Sequence, residues 1–155
     1  MATEIERKFI VSGDYKPFAA SSSRIVQGYL SLVAERTVRI RIRDERGYLT
    51  IKGAGDSSGL SRYEWEREIP HDEAGELLAL CEPGVIDKTR FLVPVGGHVY
   101  EVDEFYGDNA GLVVAEIELA DEEEVFERPT WLGREVTGEV AFYNTMLMRR
   151  PYTTW

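Results

Sequence analysis

Val38-Arg39-Ile40-Arg41-Ile42-Arg43 is the most regular stretch of the chain, with β-branched residues and arginines in strict alternation. A period of two belongs to a strand, because successive side chains of an extended backbone point to opposite faces and β-branched residues suit a pleated surface. One face of this strand is aliphatic, and the other carries three guanidinium groups. A turn over 44–47 and the run Tyr48-Leu49-Thr50-Ile51-Lys52 complete a hairpin, with Thr50 and Lys52 on the face opposite Ile51.

The same charged alternation recurs on both sides of this hairpin. A strand over 62–69 gathers Glu64, Glu66 and Glu68 against Tyr63, Trp65, Arg67 and Ile69, and a strand over 3–11 gathers Glu4, Glu6 and Lys8 against Ile5, Arg7 and Phe9. The segment 24–32 puts Gln27, Tyr29 and Ser31 together. Further strands over 85–95, 98–105 and around 115–119 carry Lys88 with Arg90, Glu101 with Asp103, and Glu116 with Glu118. Helices are predicted from His71-Asp72, which follow Pro70 as a cap, to about Leu80, briefly from the acidic run 121–124, and over 139–150. The segment 14–23 reads as a loop or short helix, and Gly53 to Gly59 as a mobile connection without the residue order of a phosphate-cradling P-loop. Eight strands with mostly short connections make the fold class mainly β (α+β), an antiparallel barrel or strongly curved sheet with a few packing helices.

A chain of 155 residues is expected to be a single domain over 1–155. Its formal net charge of −10 counts against nucleic-acid binding, which depends on a basic surface, but leaves room for a small anionic ligand at a local basic site. Cys81 is the only cysteine, so an intrachain disulfide is excluded and a reducing compartment is expected. The start of the chain has no basic region followed by an apolar run, and no stretch approaches the length of a membrane span. A cytoplasmic protein without membrane contact is the expectation, and the aromatic residues needing cover are consistent with a homodimer.

Two readings of the charged faces compete. Antiparallel sheets commonly wet one face, and any single strand here fits that description. A wet face, however, normally mixes small polar residues with its charges, whereas these faces collect nine carboxylates (Glu4, Glu6, Glu64, Glu66, Glu68, Glu101, Asp103, Glu116, Glu118) and eight bases (Lys8, Arg39, Arg41, Arg43, Lys52, Arg62, Lys88, Arg90). Near balance is a condition for turning so many charges inward, where each must find a partner or a hydrated ion. An inward-facing set has an obvious ligand: Arg and Lys hold phosphate oxygens, while paired carboxylates hold Mg²⁺ or Mn²⁺. Both together suit phosphoryl transfer from a polyphosphate, which is mainly positioning and charge neutralisation.

The motifs TEIERKF, VRIRIR, TIKG, YEWERE, DKTR, YEVDEF and VAEIEL, in this order across essentially the whole chain, resemble the CYTH domain or triphosphate tunnel metalloenzyme superfamily. The resemblance implies an eight-stranded antiparallel closed tunnel whose charged lumen binds triphosphate. It implies divalent-metal ligands at Glu4, Glu6, Glu116 and Glu118, with Glu64, Glu66 and Asp103 as lesser candidates. Phosphate would be held by Arg39, Arg41, Lys52, Lys88 and Arg90. In similar short bacterial members Lys8 and Tyr29 look like a catalytic pair activating water, the lysine being a base among other cations. The chain departs from the family pattern at Ala141-Phe142-Tyr143 before Asn144, where relatives commonly carry a basic residue and a tyrosine, which removes a reason to expect lumen contact from the C-terminus.

The expected activity is metal-dependent hydrolysis of inorganic triphosphate to pyrophosphate and phosphate. Rivals within the superfamily are a class IV adenylyl cyclase and a thiamine or nucleoside triphosphatase; a rival of another class is a polyphosphate-binding module without turnover. The sequence shows no evident nucleobase pocket, which favours the hydrolase over the cyclase.

Overall fold

The computed structural model describes residues 3–57 and 61–155, so Met1, Ala2, the end of the glycine-rich connection, Ser58 and Gly59, and Leu60 lie outside the described residues. Nine strands form one antiparallel sheet: β1 (Thr3–Val11), β2 (Ser21–Ser31), β3 (Arg36–Arg43), β4 (Arg46–Gly55), β5 (Ser61–Ile69), β6 (Ile86–Val95), β7 (His98–Phe105), β8 (Val113–Glu118) and β9 (Leu132–Glu135). The strand order is β5-β4-β3-β2-β6-β7-β8-β1-β9, and β1 also pairs with β5. That extra pairing closes eight strands into a barrel, with β9 as a short flap on β1. The expected eight-stranded antiparallel tunnel is therefore what the chain forms.

Closure sorts the alternating faces. The aliphatic faces point outward and are covered. Phe9, Val93, Tyr100, Val102, Ala115 and Ile117 pack with Tyr15, Leu119 and Trp131, contributed by the connections that follow β1 and β8. Helix α1 (His71–Leu78) lies on the outer face of β2 to β4. Glycine makes this approach possible: a Cβ on Gly47 would sit 2.5 Å from the Ala74 Cβ, and one on Gly28 would sit 2.9 Å from the Cys81 Cβ. Cys81 is a half-buried free thiol packed there, as a small apolar residue would be.

The inward face changes character along the tunnel. Ile86, Phe105 and Val114 point inward by register with Arg90, Glu101 and Glu116, and they meet Leu112, Phe142, Leu147 and Met148 in a second apolar core. This core fills one end of the barrel. The rest of the inward face is polar and encloses a cavity of about 640 Å³.

Several local expectations are corrected. Gly53 to Gly55 belong to β4, and 14–23 contains a 3-10 turn (Lys16–Phe18) followed by the start of β2. Helix α1 has no side-chain cap from His71 or Asp72 and ends at Leu78. The acidic run forms no helix, because the Asp121 carboxylate accepts the Glu123 N–H and the Glu124 carboxylate accepts the Ala120 N–H, local bonds that compete with helical ones. Glu124 also reaches His98, which is thereby tied to this loop. The helix expected over 139–150 is broken into a 3-10 turn (Val140–Phe142) and α2 (Asn144–Leu147), with Tyr143 extended between them.

Candidate active site

Register places the charged residues of neighbouring strands side by side on the inner wall. Across β1 and β8, Glu6 faces Glu118 and Lys8 faces Glu116; across β4 and β5, Lys52 faces Glu64 and Thr50 faces Glu66; across β2 and β3, Tyr29 faces Arg39 and Gln27 faces Arg41. The cavity is lined by Glu4, Glu6, Lys8, Tyr29, Arg39, Arg41, Lys52, Glu64, Glu66, Arg90, Glu116 and Glu118, which brings together twelve of the fourteen residues singled out in the sequence. Lys88 and Asp103 are not on its wall.

Those two lie behind Arg90. Asp103 takes two bonds from Arg90, Nε to Oδ1 at 2.8 Å and Nη2 to Oδ2 at 2.9 Å, and a third from the Lys88 ammonium at 2.6 Å. Burial alone would raise the Asp103 carboxyl, but Arg90 and Lys88 hold it down at about 2. Lys88 is pulled down by its own complete burial, with Arg90 and Arg41 adding to the effect against the pull of Asp103. Both oxygens of Asp103 are thus committed to cations. Arg90 is fixed by this clamp and extends to the cavity wall, 3.4 Å from Glu101 and 3.9 Å from Glu116.

The barrel separates its charges by strand. Acids come from four contiguous strands, β5 (Glu64, Glu66), β1 (Glu4, Glu6), β8 (Glu116, Glu118) and β7 (Glu101); most bases come from β4 (Lys52), β3 (Arg39, Arg41, Arg43) and β6 (Arg90) on the other side of the strand order, with Lys8 on β1 and Arg62 on β5 as the bases set among the acidic strands. The tunnel therefore has an acidic half and a basic half. Lys52 joins the two at one seam, 2.9 Å from Glu4 and 3.4 Å from Glu64. Arg39 donates to Thr50 at 3.0 Å, and Thr50 donates in turn to Glu66 at 2.7 Å.

On the acidic half the carboxylates crowd one another. Burial pushes Glu6 well above the usual carboxylate range, and the neighbouring Glu116 and Glu4 push it further. Glu116 is held well below that range despite burial, by Lys8, by its hydrogen bond with Glu6 and by Arg90. Burial followed by Glu4 also raises Glu118 and Glu64. This all-oxygen donor set, with its mutual repulsion, fits a hard divalent cation such as Mg²⁺ or Mn²⁺. Among the described residues no three carboxylates already converge as a tight cage.

On the basic half Arg41 stands out. It is 7% exposed and forms no ion pair with a carboxylate among the described residues; its Nε donates to the neutral Gln27 Oε1 at 2.8 Å. Burial and the neighbouring Arg39 and Arg90 work against its charge. A buried guanidinium without an acid is a place for an anion.

Lys8 and Tyr29 both line the cavity, but no hydrogen bond joins them among the described residues. Lys8 Nζ donates to the Phe142 carbonyl at 3.2 Å and lies 5.8 Å from the centre of the Tyr143 ring. Its partner across the ladder is Glu116, so it sits on the acidic half and not among cations, contrary to the expectation from the sequence. Its backbone is pinned from both sides, with its N–H donating to Thr137 Oγ1 at 2.9 Å and its carbonyl accepting the Val136 N–H at 2.8 Å. Tyr29 is packed in the apolar core at the closed end.

The C-terminal segment reaches the lumen after all. Thr137, Val140, Tyr143, Asn144 and Arg149 line the cavity. No sequence pattern points to them, because the segment has no period-two alternation and its contact with Lys8 is made by a backbone carbonyl.

A family profile described as CYTH domain matches residues 2–152. An inorganic triphosphatase of Acetivibrio thermocellus is 50% identical over 153 residues, covering 98% of this chain and 97% of that protein. An inorganic triphosphatase of Nitrosomonas europaea is 31% identical over 150 residues, covering 94% and 96%. Among solved structures, the inorganic triphosphatase NE1496 superposes with a TM-score of 0.68 at 29% identity, covering 96% of this chain and 95% of that one.

Proposed function

The chain belongs to the CYTH domain family, and from that premise we propose that it hydrolyses inorganic triphosphate to pyrophosphate and phosphate inside its tunnel, with Mg²⁺ or Mn²⁺. The observation that carries this reading is the division of the lumen into an acidic and a basic half, with Arg41 buried and lacking an acid. Arg39, Arg41, Arg90 and Lys52 bind the phosphate chain along the basic half. Glu4, Glu6, Glu116 and Glu118, with Glu64 and Glu66 at the flank, would hold the divalent cation opposite it. When bound, the cation supplies charge neutralisation on the phosphate oxygens.

Asp103 is no metal ligand in this reading. It orients Arg90, and Lys88 acts through the same carboxylate and not on phosphate directly. Lys8 takes a proton from the attacking water at Nζ, which the Phe142 carbonyl orients through another N–H. Tyr29 assists from the closed end. The Arg and Lys groups of the wall make the triphosphate itself the recognised part. Among the described residues no helix is long and apolar enough to cross a membrane; the single cysteine, a free thiol, suits the reducing cytoplasm that we propose as the location of the chain.

The test is phosphate release across pH 7–10 from tripolyphosphate, ATP and thiamine triphosphate, with Mg²⁺ or Mn²⁺ and with EDTA. Release that is fastest from tripolyphosphate and lost in EDTA is expected. Cyclic AMP from ATP, or binding of tripolyphosphate without turnover, would overturn the proposal.

A further inference from the structure

The residue that faces Arg41 is neutral where an acid would serve folding better. Gln27 is wholly buried on β2, directly opposite Arg41 on β3, and accepts its Nε–H at 2.8 Å through Oε1. Arg41 can only donate, so this bond fixes which end of the amide faces it. The other end, Nε2, is then buried without a hydrogen-bond partner among the described residues. Glutamate has the same length and shape. It would accept the same bond, remove the unsatisfied N–H groups and neutralise the guanidinium.

Among the described residues no acid bonds to Arg41, although the charge of Asp103 partly offsets it. Asp103 is bonded to Arg90 and Lys88, and Glu66 lies with Arg39 and Thr50. The cations beside Arg41, Arg39 and Arg90, add to its charge and do not relieve it.

We infer that Gln27 is a positioning residue for Arg41: it aims the guanidinium while leaving its charge uncompensated, so that the phosphate chain supplies the missing anion. A binding step gains most when the ligand provides the partner that the free protein lacks. The cost is borne by the ligand-free fold, which keeps an unpaired cation and an unsatisfied amide. This rests on the reading of Arg41 as a phosphate-binding group.

The experiment compares Gln27→Glu, Gln27→Leu and Arg41→Ala by KM and kcat for tripolyphosphate with Mg²⁺, and by thermal midpoint without substrate. Gln27→Glu is expected to raise the midpoint of the ligand-free protein and to raise KM by about tenfold or more, since it replaces a charge-assisted bond to substrate by an internal one. A merely structural glutamine would not move these two quantities in opposite senses. Gln27→Leu is expected to raise KM more than kcat is lowered, and to add nothing to KM in the Arg41→Ala background.

A Gln27→Glu protein with a lower midpoint, or with KM unchanged while Arg41→Ala raises it, overturns the role of Gln27 alone. An equal effect of Gln27→Leu with and without Arg41 does the same. An Arg41→Ala protein with unchanged KM overturns the phosphate role of Arg41 and the inference together.

Discussion

Asp103→Asn removes one charge from a buried cluster of three and leaves the shape almost unaltered. In the native chain the Asp103 carboxylate is 1% exposed and neutralises two cations, Lys88 at 2.6 Å and Arg90 through a two-point contact. Breaking a buried ion pair by removing one partner costs about 3–5 kcal/mol, because the other charge stays buried and uncompensated. At about 2–4 °C per kcal/mol for a chain of this size, the thermal midpoint should fall by roughly 10 °C. The pH dependence gives an independent estimate. Its folded value is depressed from 3.8 to about 2, so its contribution is complete above about pH 4 and is lost as pH falls through 2. That difference corresponds to about 2 kcal/mol at neutral pH. The assay is thermal unfolding followed by far-ultraviolet circular dichroism between pH 2 and 7, with and without tripolyphosphate. The variant should lose much of the acid sensitivity between pH 4 and 2 seen in the native protein. It should also gain more from tripolyphosphate, which can neutralise Arg90. A loss below about 1 kcal/mol with unchanged acid sensitivity would refute the assignment of Asp103 as a structural counter-ion.

Two further outcomes follow from the same geometry. Lys8→Ala should lower kcat about 10²–10⁴-fold, the range for loss of a general base, in a protein that still folds because Thr137 and Val136 keep their bonds to the backbone of residue 8; residual activity above a tenth would contradict the role of base. Gly47→Val should destabilise the fold by about 1–3 kcal/mol, since even its Cβ would meet the Ala74 Cβ at 2.5 Å, and chemical denaturation that shows no loss would mean α1 is free to move away.

Alternation in a strand states which face a side chain takes but not its depth along a barrel. The sequence therefore placed Arg39, Arg41, Glu116 and Glu118 on the inner wall correctly, because the charged runs are long and regular. It put Lys88 and Asp103 on the same wall as Arg90, and they are on the inward face, but at the level where Ile86, Phe105 and Val114 close the tunnel. Strand β9 escaped detection for another reason. It is four residues long, and a Cβ on its Gly133 would lie 2.7 Å from the Ile10 carbonyl oxygen, so its glycine records a close approach to β1 that no local pattern encodes. The apolar spacing over 139–150 suits one continuous helix, but Tyr143 leaves the helical conformation and the Phe142 carbonyl turns to Lys8.

The division of the lumen explains how so many charges can be held in one interior. Interleaved acids and bases around the wall would pair with each other and leave nothing for a ligand. Segregated halves pair mainly near their seams, where Lys52 meets Glu4 and Glu64, Arg39 lies 3.5 Å from Glu66, and Arg90 approaches Glu101 and Glu116. Away from the seams each half is left needing the opposite charge. A triphosphate answers the basic half and a divalent cation answers the acidic half, and the two attract each other across the gap. Either one alone would face like charges on the opposite wall. In the proposed reading the wall is built for the pair, and Lys8, set among the acids beside Glu116, would face the phosphate from the metal side.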